Sequence, residues 1–93
     1  MTDKVDELLD EREQTHGPAT ETFEVGIRLV NVVVNHARSK EEALIAHDFA
    51  ILNILHKIAR ILCGSYNPDH WDDIEGYARL GKRIQEKIHD GGT

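Results

Sequence analysis

The chain has 93 residues, 40% of them apolar and 30% charged, with a formal net charge of −6. It is the size of one small domain, 1–93, and its acidity excludes a general DNA or RNA binder, which needs a basic face for phosphate. A single cysteine, Cys63, leaves no internal disulfide, the polar acidic start shows no signal peptide, and no apolar run approaches the roughly 20 residues of a membrane span, so a cytoplasmic soluble chain is expected.

The first predicted helix covers 2–15, with Val5, Leu8 and Leu9 on one face, and stops at Gly17-Pro18. Thr20 is placed to cap a second helix, 20–38, with Glu21 and Glu24 favourably sited in its first turn. Phe23, Ile27, Val30, Val34 and Ala37 follow helical spacing along it. The run Leu29-Val30-Asn31-Val32-Val33-Val34 has strand propensity, but no other segment offers it a partner strand, and helix is the consistent reading. Ser39-Lys40-Glu41-Glu42 has the form of a capping box and opens a third helix, 40–63, which Gly64 ends. After the loop Ser65–Asp69, Asp69 or His70 caps a fourth helix, 70–89, and Gly91-Gly92-Thr93 forms a frayed tail. The expected fold is an all-α, compact four-helix bundle with the third helix central. A chain this short buries only about two thirds of its unfolded surface, and homo-oligomerisation is expected to cover the rest.

The third helix carries the first sign of chemistry. At about 100° per residue, Asn53, His56, Lys57 and Arg60 share one arc, while most of the remaining circumference is apolar. One turn upstream the same arc turns apolar at Ala46, Phe49 and Ala50, which points to a cleft or interface rather than a uniformly solvated stripe. On the fourth helix, Asp73 falls inside the apolar arc of Ile74, Tyr77, Leu80, Ile84 and Ile88. A carboxylate facing a core needs a partner, and Lys57 and Arg60 are the candidates. Because the connection is short, the two helices are expected to be antiparallel neighbours. Arg60 and Asp73 lie at similar distances from the loop and can meet.

Other chemistries find less support. No two histidines stand at i, i+4 spacing, so no metal site is predicted. Carboxylate pairs at i, i+3 (Glu21 with Glu24, Asp69 with Asp72) have the spacing with which all-helical MazG-like nucleotide hydrolases hold Mg²⁺, but an acidic chain produces such pairs by chance. Cys63 ends an apolar helix without a base and reads as a core residue. No catalytic residue and no cofactor are assigned, with Mg²⁺ entering only if the hydrolase alternative holds.

Two blocks carry a family resemblance. Asp10-Glu11-Arg12 with Thr15-His16-Gly17, and His56-Lys57-Ile58-Ala59-Arg60-Ile61 with Asp69-His70-Trp71-Asp72-Asp73-Ile74-Glu75-Gly76-Tyr77-Ala78, resemble the signatures of the small phage-encoded, all-helical family DUF6378. That family is itself similar to a domain associated with phage nucleotide modification. The resemblance implies that His16, Lys57, Arg60, His70, Asp73 and Tyr77 share one site. The expected function is a phage accessory protein, not an enzyme, that binds a nucleotide or nucleotide-derived signal in the host cytoplasm. Sequestration of a host antiviral signal is one form of it. Lys57 and Arg60 would meet phosphate, Asp73 would orient them, His16 and His70 would hydrogen-bond the ligand, and Trp71 or Tyr77 would pack on the base. The alternatives are the Mg²⁺-dependent hydrolase and a module that blocks a host protein.

Overall fold

The computed structural model describes residues 4–16 and 19–91, the side chains of 12–16 excepted. Four helices make up the fold: α1 (Lys4–His16), α2 (Ala19–Ser39), α3 (Ala46–Cys63) and α4 (Pro68–His89). The fold is all-α among the described residues, and the valine-rich run lies within α2. None of these helices is long and apolar enough to cross a membrane. The predicted break at Gly17-Pro18, residues 2–3 at the chain start and the last two tail residues lie outside the described residues.

Two helix starts differ from expectation. The third helix begins at Ala46, not residue 40. Ser39 ends α2 instead, and its hydroxyl donates back to the His36 carbonyl at 2.6 Å, so it does not open a new helix. The amides of Lys40 and Glu42 both donate to the Ala37 carbonyl, at 3.1 and 3.0 Å, and Glu41 takes a left-handed φ of 56°. These bonds satisfy the last carbonyls of α2 and turn the chain out of the helix. The cap of α3 falls on Ile45, whose amide donates to the Asp48 carboxylate at 2.8 Å. Asp48 therefore performs the reach-back that Glu42 was expected to perform. The fourth helix begins at Pro68 rather than residue 70, because Asn67 is its cap: Asn67 Oδ1 accepts the Asp69 amide at 3.0 Å. Proline at the first helical position has no N–H to satisfy and its φ is already helical. The ends of α1 and α2 move by one residue, within ordinary fraying.

α3 is central, packed against α4 on one side and α2 on the other. Lys57 lies opposite Asp73 and Ala50 opposite Gly81, the register of an antiparallel hairpin. Each contact of α3 includes one pair of small residues. Ala59 is fully buried against α2, where a Cβ on Gly26 would stand 3.9 Å from the Ala59 Cβ. Ala50 is buried against α4, where a Cβ on Gly81 would come within 3.0 Å of the Ala50 Cβ.

The packed face of α2 is not centred on the predicted apolar stripe. Thr22 is buried, and Gly26, Leu29, Val33 and Ala37 follow it at helical spacing on the covered side. Phe23 and Ile27 lie on the flank and remain 71% and 55% exposed. Close approach at Ala59 requires small side chains at the contact, and this turns the large ones outward. The result is an elongated body of 55 × 28 × 24 Å.

The two glycines of α4 separate helix propensity from space. Nothing lies within 4 Å of a Cβ at Gly76, so Gly76→Ala should gain about 1 kcal/mol of helix propensity, or roughly 4–8 °C in Tm. A Cβ at Gly81 meets the backbone-anchored Ala50 Cβ, which cannot swing away. Gly81→Ala should therefore lower Tm, because overpacking of about 1–3 kcal/mol exceeds the propensity gain. Thermal melts followed by circular dichroism compare the two.

Candidate functional site

The polar stripe of α3 is built by helical periodicity. Arg60 sits one turn after His56 and donates its Nε–H to His56 Nε2 at 3.3 Å. Lys57 turns toward α4, where its Nζ is 2.9 Å from Asp73 Oδ2. Of the two cations expected to meet Asp73, Lys57 makes the contact and Arg60 turns to the histidine. The Lys57 side chain is mostly covered, at 18% exposure, while Asp73 is about half open. The carboxylate thus fixes a lysine whose stem is packed and leaves the pair within reach of solvent.

His56 is the electrostatic centre of the cluster. Its pKa is held below the usual 6.5, first by burial, then by the positive charges of Arg60 and Lys57, and further by His70. The contact with Arg60 needs a lone pair on Nε2, so the neutral ring carries its proton on Nδ1. Arg60 spends only Nε–H on this bond, and its planar fork has further N–H groups to offer. On its other side His56 borders an apolar groove of about 370 Å³ lined by Thr22, Phe23, Gly26, Ile27 and Val30.

The other predicted residues divide around this cluster. His70 is buried at the start of α4, close enough for its charge to act on His56. Trp71, next to it in sequence, is 58% exposed. Tyr77 is one turn beyond Asp73 and lines a separate groove of about 250 Å³ between α3 and α4, with His47, Ala50 and Gly81. His16 ends α1, and its side chain lies outside the described residues. Lys57, Arg60, His70 and Asp73 are therefore gathered around His56, while Tyr77 faces a second groove. Among the described residues no three His, Cys, Asp or Glu side chains form a metal-sized group.

Sequence reasoning gave no role to His56 itself or to the buried Thr22. The signal for His56 was present: an arginine four residues on lies beside its ring on the same helix face. Thr22 stands four residues before Gly26, the spacing of a close-approach face.

The lowered pKa of His56 has a definite consequence for stability. The folded state disfavours the imidazolium, so His56 contributes stability that is fully present above pH 6.5 and is lost as pH falls through its folded pKa. An NMR titration should place His56 below 6.5. Denaturant melts should lose stability below that pH in the wild type, and less so in His56→Gln.

The model of the family described as a domain of unknown function, DUF6378, matches residues 1–85. No curated protein and no solved structure matches the chain. With nearly its whole length matched, and with the His56–Ile61 and Asp69–Ala78 blocks converging on one basic cluster, the chain belongs to the DUF6378 family.

Proposed function

We propose that this protein binds a phosphate-bearing, nucleotide-like small molecule at the His56–Lys57–Arg60 cluster, without turnover. The observation that carries the reading is the convergence of two cations and a neutral histidine in a chain of net charge −6. A solvated stripe would not need Asp73 to fix Lys57. Arg60 presents a fork suited to two phosphate oxygens, and Lys57 adds a point charge beside it. Neutral His56 gains from an incoming anion, because a nearby negative charge favours the imidazolium and draws a proton onto the ring. His70 is the expected hydrogen-bonding partner beside the cluster, and the exposed Trp71, next to it in sequence, is expected to cover a base. In biological terms the reading is a phage accessory protein in the host cytoplasm that withholds a nucleotide-derived antiviral signal.

Calorimetry with inorganic phosphate and with nucleoside mono-, di- and triphosphates tests the site. Arg60→Ala should weaken binding by about 10- to 100-fold, the loss expected for a charge-assisted contact, with helicity retained. Asp73→Asn keeps shape, frees Lys57 and should weaken binding less. Phosphate should raise the NMR pKa of His56 in the wild type. If a nucleotide binds the wild type with affinity unchanged in both variants, the site lies elsewhere and the cluster is a structural ion pair. Mass spectrometry of small molecules released from heat-denatured protein, purified from infected cells, would identify the ligand.

A further inference from the structure

The outer face of α2 presents a second feature, separate from the phosphate reading and not dependent on it. Phe23, Ile27 and Val30 fall within about 60° of arc on α2, and with Thr22, Gly26 and His56 they line the open apolar groove. Phe23 is 71% and Ile27 55% exposed, although their spacing is that of a buried helix face. The rest of the chain supplies no substitute core: among the described residues no large side chain is fully buried, and the buried apolar residues are Ala50 and Ala59.

The surface area favours a second copy of this chain as the cover for this face. The chain exposes 7299 Å², whereas a monomeric protein of 10.5 kDa exposes about 5,400 Å². The excess, about 1,900 Å² per chain, includes the exposed side chains 4–11 of α1 and still leaves room for the roughly 1,000 Å² that each partner of an obligate homodimer buries at the least. A peptide seated in a groove of about 370 Å³ could not account for it. Charge also favours a second copy. Exposed Glu24 and Arg28 flank the stripe on one side, and a two-fold antiparallel crossing of α2 on its partner near Gly26 sets Glu24 of each copy opposite Arg28 of the other.

We infer that the Phe23–Ile27–Val30 stripe is the interface of a two-fold homodimer, formed by antiparallel packing of α2 on α2. Each copy buries the other's stripe, and His56 marks the edge of the covered face.

Light scattering on the full chain between 10 and 100 µM, on the order of the range for a moderate dimer, should give twice the 10.5 kDa chain mass. Phe23→Glu and Ile27→Glu should each weaken the dimer by at least about tenfold, as loss of an interface anchor does, with helicity checked by circular dichroism. Glu24→Arg and Arg28→Glu change exposed side chains and test the geometry even if the apolar variants unfold. Each alone should weaken pairing, since like charges then face each other, and mixing the two should restore a heterodimer. A wild-type chain that stays monomeric overturns the inference, and so does one that is monomeric but binds lipid vesicles. A dimer indifferent to the four substitutions places the interface on another face. Failure of the mixture to pair rules out the antiparallel two-fold arrangement.

Discussion

The close approach of α3 to its two neighbours is the constraint on which the rest of this fold depends. Ala59 against Gly26 and Ala50 against Gly81 bring backbones together, with ordinary room for a methyl at Gly26 and a tight fit at Gly81. Dispersion is strongest at such contacts, because each atom gains neighbours at van der Waals distance. The Ala50–Gly81 contact also fixes register. With those two residues opposed, Lys57 is carried opposite Asp73, two turns along the hairpin. The ion pair is therefore a consequence of steric register before it is an electrostatic choice, and Arg60, one turn further on the outer arc, is left to face His56.

That division gives the cluster its chemistry. Asp73 offsets part of the Lys57 charge, so the local field is set by what remains of it, by Arg60 and by whichever form His56 takes. Burial and two cations keep His56 neutral. A neutral histidine beside an arginine fork is poised differently from a third cation: under the proposed function an incoming anion would favour its protonated form. This accommodates a basic site in an acidic chain without a large standing self-repulsion.

Much of the fold was legible in the sequence because helical periodicity survives in single segments. Four helices, the central third one and a basic partner on α3 for Asp73 all follow from spacing and a short connection, although distance from the loop pointed to Arg60 and the pair is made by Lys57. The face of α2 was legible only in part: of the expected stripe, Val30, Val34 and Ala37 are half-buried, whereas Phe23 and Ile27 are exposed. Phe23, Ile27 and Val30 form the more apolar stripe, and a rule based on hydrophobicity selects them, yet α3 approaches along Thr22 and Gly26. Proximity between helices is decided by side-chain size as well as by polarity, and size complementarity between α2 and α3 is a two-body property that one segment does not carry. The start of α3 failed for a related reason. Ser39 and Glu42 have the right chemistry for a cap, but the same serine also serves the carbonyl of the helix behind it, and the competition is settled by where the chain must turn.

His56 joins the two surfaces, and this makes their energetics inseparable. It contacts Arg60 on one side and borders the α2 groove on the other. Covering the groove with a second copy deepens the burial of the ring and pushes its pKa further down, whereas an anion at Arg60 pulls it up. The two events therefore oppose each other through one proton. At lower pH, where the unpaired chain begins to protonate, pairing must expel that proton and ligand binding must retain it. By reciprocity the free-energy cost is the same whichever event comes first. Among the described residues the buried apolar side chains are the small Ala50 and Ala59, which leaves large apolar side chains for the proposed pairing, and His56 is where that pairing would meet the proposed ligand chemistry.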